Sequence, residues 1–118
     1  MSVPIYQLKG EFFKTLGHPA RIRVLELLGD GEKSVGQLVP EVGIEASHLS
    51  QQLAILRRAG LVSTRKEGSS VFYSIANPDI SELLAVARRI LTSSLHASAE
   101  MLAELESEPV APLPDARH

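Results

Sequence analysis

Apolar and polar residues recur with the period of a helix between Ala46 and Ala59, and this segment stops at Gly60. Leu49, Leu53 and Leu56 stand at positions i, i+4 and i+7, which places them on one side of the predicted helix, facing a core. The opposite side carries short polar or cationic side chains, with no Glu and no Lys: Ser47, His48, Ser50, Gln51 and Arg58. Such side chains can reach base edges and phosphates, whereas an ordinary solvated helix is rich in Glu and Lys.

Two short β patterns follow Gly60. The segments 61–66 and 71–75 have the character of strands, and a polar turn at 67–70 joins them. A helix followed by a basic hairpin is typical of a winged helix-turn-helix, in which the helix enters the major groove of DNA. The hairpin then contacts the flanking backbone or the minor groove. The pattern therefore predicts a DNA-binding regulator.

The remaining helices are predicted from their apolar spacing and from the residues that interrupt them. A first helix spans Ile5 to Leu16, and Pro19 suits the first turn of a second helix that continues through 21–28. Ser34 is predicted to cap a short third helix. With a further helix at the C-terminal side, the fold class is mainly α with a small β-hairpin, in the order α-α-α-α-β-β-α.

The last helix is predicted to run from Pro78 to about Glu106. At about 1.5 Å per residue it spans about 40 Å, which is longer than so small a domain covers alone. Excess apolar length on a terminal helix usually packs against a second copy of the chain, and a helix folded back on its own domain is the alternative. We expect one domain over 1–106 that binds DNA and dimerises, and a disordered, Pro-rich acidic tail over 107–118.

The distribution of charge supports a DNA partner, although the chain of 118 residues carries a net charge of −2. Residues 1–98 hold eleven Lys and Arg against nine Asp and Glu, while 99–118 hold one Arg against five acids. The segment 57–66 contains four cations and no carboxylate. DNA phosphates respond to such a local patch rather than to the net charge.

Several other classes of protein are excluded or unsupported. The chain has no Cys, which excludes disulfides and thiolate metal sites and favours a reducing cytoplasm. Its apolar runs are too short for a membrane span of about 18 residues, and its first residues lack the pattern of a secretory signal. Phosphate loops, zinc-protease motifs and nucleophile triads are absent, and His18 before Pro19 is interpreted as a helix cap or packing residue. Neither an enzyme nor a cofactor is predicted.

Three segments together resemble the ArsR/SmtB family of winged-helix repressors: HPARIRVLELL (18–28), LSQQLAILRRAGLV (49–62) and RKEGSSVFYSI (65–75). The resemblance covers about residues 5–106. It implies a cytoplasmic homodimer formed by the first and last helices, which binds inverted-repeat operators near promoters, including its own. It also implies that an effector releases the repression.

The same resemblance implies which residues contact DNA and which contact the second copy. The predicted DNA-binding residues lie on the fourth helix, at its C-terminal end and on the wing: Ser47, His48, Ser50, Gln51, Gln52, Arg57, Arg58, Arg65, Lys66, Ser69 and Ser70. The predicted dimer-interface residues lie on the apolar sides of the first and last helices: Ile5, Leu8, Phe12, Leu84, Ala87, Leu91, Leu95 and Leu102.

The chain departs from the metal-sensing patterns of the family it resembles. Many members sense metal through a Cys-containing third helix, and this chain has no thiol. Others use carboxylates and His on the last helix, where Asp79, His96 and Glu100 are retained but Ser81 replaces an expected His. Because a zinc site needs about four ligands, we expect a repressor without a metal switch, relieved by an unknown small molecule or by another route. A zinc- or nickel-responsive repressor and a winged-helix module that binds protein are the alternatives.

Overall fold

The computed structural model describes residues 2–107. In this part of the chain the elements follow in the order α1 (Ile5–Leu16), α2 (Pro19–Leu28), β1 (Lys33–Ser34), α3 (Val35–Val42), α4 (Ala46–Arg58), β2 (Val62–Glu67), β3 (Ser70–Ile75) and α5 (Pro78–Ser107). The predicted winged helix-turn-helix is confirmed. Strand β1 is an addition that the sequence pattern did not predict.

Local signals in the sequence account for the starts of α2 and α3. His18 accepts a hydrogen bond at Nδ1 from the backbone N–H of Ala20 at 3.2 Å, and Pro19 occupies the start of the helix, where a missing N–H costs little. Ser34 and Gln37 form a reciprocal capping box at the start of α3. The predictions of a helix cap at His18 and at Ser34 are therefore confirmed.

Gly60 ends α4 and turns the chain into the wing. Its φ of +77° lies in the left-handed region that glycine adopts without strain. The Gly60 N–H donates to the carbonyl of Arg57 at 3.0 Å, and the Leu61 N–H donates to the carbonyl of Leu56 at 2.9 Å, which are the two bonds of a Schellman motif. Leu56 and Leu61 are both buried, so the motif also attaches the start of the wing to the core.

Three antiparallel strands form the wing sheet, in the spatial order β1-β3-β2. The predicted hairpin is present as β2 and β3, and β1 adds a third strand, in which Lys33 and Ser34 pair with Tyr73 and Phe72 of β3. A strand of two residues is too short for an alternating pattern to reveal it. Strand β1 thereby joins the loop after α2 to the wing.

A two-residue turn closes the hairpin of β2 and β3. Glu67 lies opposite Ser70 in the register, so Gly68 and Ser69 form the turn. Gly68 has a φ of +62°, while no non-glycine residue in 2–107 has a positive φ, an arrangement that type II′ turns favour. The turn predicted at 67–70 is confirmed.

Helices α2, α3 and α4 supply the centre of the core. Leu25, Leu38, Leu49, Leu53 and Leu56 are 0% exposed. Full burial of a leucine side chain contributes about 1.5–3 kcal/mol to stability. Three of these leucines belong to α4, so the predicted apolar stripe of this helix faces the core and fixes which side of α4 remains exposed.

The chain divides into two compact units, Met1–Ala85 and Val86–His118, and α5 runs across the division. Within the first unit Ile80 is buried and Leu83 and Leu84 pack against the core. Within the second unit the large apolar side chains of α5 are each more than half exposed: Ile90, Leu91, Leu95, Met101, Leu102 and Leu105. The second unit therefore carries an uncovered apolar surface.

Helix α5 reaches Ser107, the last residue that the structure describes, and so includes the whole predicted range from Pro78 to about Glu106. The tail predicted at 107–118 lies outside the described residues, apart from Ser107 itself. Among the helices of the described range, none has the length and apolar character to cross a membrane.

Candidate nucleic-acid interface

The exposed side of α4 is the centre of the candidate interface. Ser47, His48, Ser50 and Gln51 are all exposed there, while the leucines on the other side of the helix are fully buried. Hydroxyl, imidazole and amide groups can each donate and accept hydrogen bonds. This surface therefore has the chemistry that base edges in a major groove require.

Gln52 does not belong to this exposed surface. Its side chain is 6% exposed and is the one buried polar side chain found in the described residues. The Gln52 Oε1 accepts a hydrogen bond of 2.8 Å from Nε of Arg21. Because successive helix residues are about 100° apart, Gln52 faces the core although Gln51 does not. The prediction that Gln52 contacts DNA is therefore corrected.

Arg21 of α2 connects three helices through this buried amide. Its Nη1 donates to the carbonyl of Thr15, near the end of α1, at 3.0 Å, while its Nε donates to Gln52 of α4. These hydrogen bonds tie α4 to α1 by way of α2. Sequence reasoning missed the connection because 31 positions separate Arg21 from Gln52 and no local pattern pairs them.

The last turn of α4 carries two exposed arginines, Arg57 and Arg58. Together with Ala54 and with Tyr73 of β3 they line a cavity of about 390 Å³ beside the wing. Within residues 2–107 neither guanidinium is paired with a carboxylate. Two available guanidinium groups beside a tyrosine suit the oxygen atoms of a DNA phosphate.

Neighbouring residues of β2 face opposite sides of the wing sheet, because strand side chains alternate. Val62 is buried against the core, and Lys66 shares its side of the sheet. Arg65 faces the other side, where it lies opposite Phe72 with its guanidinium carbon 4.9 Å from the ring centroid. The two wing cations that sequence reasoning grouped together therefore have different surroundings.

Two carboxylates bind the guanidinium of Arg65. Its Nη2 and Nε donate to the two oxygens of Glu32 at 2.6 and 3.2 Å, and its Nη1 donates to Glu67 at 2.5 Å. The hydrogen bond from Arg65 lowers the pKa of Glu32. The pKa of Arg65 is raised, mainly by its hydrogen bonds to Glu32 and, to a smaller extent, by the one to Glu67. The segment 57–66 has no carboxylate of its own, but the fold brings Glu32 to it from 33 positions away.

The tip of the wing differs from Arg65. Lys66, Ser69 and Ser70 are exposed, and no ion pair involves Lys66 in the described part of the chain. Hydroxyl and ammonium groups at a hairpin tip are common partners of the DNA backbone. These three residues remain predicted phosphate contacts.

Comparison with known proteins identifies the family. The model of the family described as "Bacterial regulatory protein, arsR family" matches residues 18–64. The HTH-type transcriptional regulator Rv0081 of Mycobacterium tuberculosis is 56% identical over 107 residues, which are 90% of this chain and 94% of that protein. The crystal structure of Rv0081 matches with a TM-score of 0.76 at 58% identity and covers 83% of this chain and 99% of that one. The chain belongs to the ArsR family.

Other relatives of this ArsR-family chain carry a function in their names. The biofilm growth-associated repressor of Agrobacterium fabrum is 45% identical over 71 residues, which are 60% of this chain and 61% of that protein. The transcriptional activator HlyU of Vibrio cholerae is 39% identical over 77 residues, which are 65% of this chain and 71% of that protein. The homodimeric winged helix-turn-helix domain Mb0332 of Mycobacterium bovis, solved by NMR, matches with a TM-score of 0.70 at 28% identity and covers 82% of this chain and 93% of that one. This chain is thus a winged-helix transcriptional regulator of the ArsR family.

The apolar residues predicted at the dimer interface of this ArsR-family regulator fall into two groups. Phe12 and Leu84 are half-buried and pack against the core of their own chain. The other predicted interface residues are exposed: Ile5, Leu8, Ala87, Leu91, Leu95 and Leu102. Tyr6 and Phe13 of α1 add aromatic surface that is 71% and 54% exposed. Helices α1 and α5 therefore each present uncovered apolar side chains.

The metal candidates of α5 form a pair rather than a site. His96 Nε2 lies 3.3 Å from Glu100 Oε1, and both side chains are exposed. No group of three or more potential metal ligands occurs in the described residues, and Asp79 lies in the first turn of α5. A zinc site needs about four ligands, so the pair by itself supplies about half of them.

Proposed function

We propose that this ArsR-family protein is a dimeric transcriptional repressor that binds an inverted-repeat operator near its own promoter. The observation that carries the proposal is the exposed side of α4, on which Ser47, His48, Ser50 and Gln51 are all accessible. Fully buried leucines hold the helix from the opposite side. No Asp or Glu lies within α4, so this helix adds no carboxylate that would repel DNA phosphates.

The proposed DNA contacts are of two kinds. Base edges are contacted from the exposed side of α4, by Ser47, His48, Ser50 and Gln51. Phosphates are contacted from the end of α4 and from the wing tip, by Arg57, Arg58, Lys66, Ser69 and Ser70. The first set determines which sequence is bound, and the second set supplies affinity that depends on salt.

Two copies are proposed to join through the exposed apolar side chains of α1 and α5. Removal of such surface from water contributes about 25 cal/mol for each Å². The homodimeric Mb0332 structure, which shares the fold, supports this assembly. A twofold dimer presents two copies of α4 to half-sites about one helical turn of DNA apart.

Gel shift and footprinting on the protein's own upstream DNA test the proposal. The expected result is protection of two half-sites with centres about 10 bp apart. Protection of one isolated half-site at full affinity would reject the dimer geometry. Failure to bind any duplex would favour the alternative of a winged-helix module whose partner is a protein.

The direction of regulation follows from the proposed position of the operator. The relatives include both a repressor and an activator, so their names leave the direction open. A protein bound near its own promoter obstructs the polymerase, which favours repression. A reporter driven by that promoter should gain expression when the protein is removed, and a loss of expression would instead assign an activator.

Release from DNA is proposed to use a small molecule rather than a thiol, because the chain has no Cys. Within the first unit Phe12, Leu61, Ile80 and Leu83 line a cavity of about 350 Å³, to which Asn77 and Asp79 add polar groups. Its size and mainly apolar lining suit a small ligand. Such a ligand releases DNA only if its affinities for the free and the DNA-bound dimer differ. Operator affinity measured with and without a candidate compound tests this.

A further inference from the structure

The ion pairs on the wing leave Arg65 with little capacity to bind a DNA phosphate. Its Nε–Nη2 edge binds Glu32 through two hydrogen bonds, and its Nη1 binds Glu67. The guanidinium also lies over the ring of Phe72. The planar fork of an arginine binds carboxylate and phosphate with the same geometry. Both edges of the Arg65 fork are therefore engaged by carboxylates.

The two carboxylates around Arg65 carry more negative charge than its guanidinium carries positive charge. Glu32 and Glu67 carry two negative charges against its single positive charge, and Lys66 brings the sum of the four groups to zero. A phosphate that approaches Arg65 also approaches two carboxylates, and it meets a guanidinium in which three of the five N–H groups already bind them. The positive charge that the sequence suggests at Arg65 is thus outweighed in the fold by the two carboxylates that bind it.

We infer that Glu32, together with Glu67, withholds Arg65 from DNA and thereby limits the affinity of the wing. Glu32 is a positioning residue that acts from the loop between α2 and β1, outside the hairpin. Strand β1 fixes this loop, because Lys33 pairs with Tyr73. The inference rests on the proposed function, since it requires the wing to lie beside DNA.

Because Arg65, Glu32 and Glu67 are exposed, their effect on DNA affinity can be tested without a large effect on folding. The side chains of Arg65, Glu32 and Glu67 are 48%, 41% and 68% exposed. Exposed ion pairs contribute little to the stability of a fold. Replacement of the two carboxylates by amides of the same shape should therefore free the guanidinium and leave the structure intact.

The test compares wild type with the double variant Glu32→Gln, Glu67→Gln, each with and without Arg65→Ala. Dissociation constants for a duplex from the protein's own upstream region are measured by fluorescence anisotropy between about 0.05 and 0.3 M KCl. Each phosphate contact contributes about 0.9 to the slope of log affinity against log salt. Arg65 should contribute nearly nothing in wild type and about 0.9 per subunit in the double variant. The double variant should bind roughly tenfold tighter at about 0.1 M salt.

Glu41→Gln is the matched control, because Glu41 lies on α3, is 58% exposed and is 3.9 Å from Arg23. Glu41→Gln should leave the salt slope unchanged. Circular dichroism checks that each variant keeps its fold. If Arg65→Ala in otherwise wild-type protein lowers the salt slope by about 0.9, the inference is overturned, because Arg65 would already contact a phosphate. An unchanged slope in the double variant, or an equal gain in affinity without Arg65, would overturn it as well. Wild-type protein that binds no duplex would overturn the proposed function, and the inference with it.

Discussion

Helix α4 and the wing carry the two groups of proposed DNA contacts, and different forces hold them in place. Helix α4 buries Leu49, Leu53 and Leu56 completely and Gln52 almost completely. In β2 only Val62 is buried, and the outer part of the wing is held by strand pairing, to which the exposed ion pairs of Arg65 add little stability. Burial therefore fixes the orientation of α4, whereas exposed charges determine what the wing offers to DNA.

In both regions, residues that are adjacent in the sequence face different sides of their element, as its period requires. Gln51 is exposed and Gln52 is buried, because successive helix residues are about 100° apart. Arg65 and Lys66 lie on opposite sides of the sheet, because strand side chains alternate. In each pair, one of the two predicted DNA contacts has other partners in the fold.

The largest expected effect is a loss of stability when a cavity is made in the core beneath α4. Leu53→Ala should lower the free energy of unfolding by about 2–5 kcal/mol, because a fully buried side chain is lost and its neighbours close the space only in part. Urea unfolding followed by circular dichroism measures the change. Ser50→Ala on the exposed side is the control and should stay within about 0.5 kcal/mol of wild type. Equal losses in both variants would contradict the view that burial on one side holds α4.

The adjacent glutamines of α4 provide a second, smaller test. Gln51→Ala should weaken operator binding by about 1–3 kcal/mol and relax base preference at one position, as expected for a base-edge contact. Gln52→Ala should instead lower the free energy of unfolding by about 1–3 kcal/mol, because Arg21 loses its buried partner. Binding to a randomised operator library reports base preference, and urea unfolding reports stability. A shift in base preference in Gln52→Ala but not in Gln51→Ala would show that Gln52, and not Gln51, contacts a base.

The salt dependence of binding separates the arginines of α4 from the cations of the wing. Arg57→Ala with Arg58→Ala should reduce the salt slope by about 1.8 per subunit, since neither guanidinium has a carboxylate partner in the described chain. Arg65→Ala with Lys66→Ala should reduce it by about 0.9, the share of Lys66 alone. Fluorescence anisotropy across a salt series measures both slopes. A reduction near 1.8 for the wing pair would show that Arg65 also contacts phosphate.

The smallest expected effect is that of metal on operator binding. Added zinc or nickel should change the dissociation constant less than tenfold, which is about 1.4 kcal/mol, because His96 and Glu100 form an exposed pair without a third ligand in the described residues. The measurement is operator affinity with chelator and with added metal. A larger change that disappears in His96→Ala would establish the zinc- or nickel-responsive alternative.

Much of the fold was predictable because short-range signals set its boundaries. His18 and Ser34 cap their helices through residues two or three positions away, and Gly60 ends α4 through bonds to its own last turn. The exposed part of the candidate site followed from the helical period of the leucines. Strand β1 escaped prediction because its two residues pair with β3, about forty positions further along the chain.

The apolar pattern of the chain is enough to predict a winged helix whose fourth helix exposes Ser47, His48, Ser50 and Gln51, since the periods of helix and strand are local properties of the backbone. Which polar groups remain available to DNA depends instead on how the separate elements pack together. Glu32 meets Arg65 across 33 positions, and Arg21 meets Gln52 across 31. Such pairs arise where separate elements pack together, and the distance between their side chains is set by that packing rather than by any spacing along the chain.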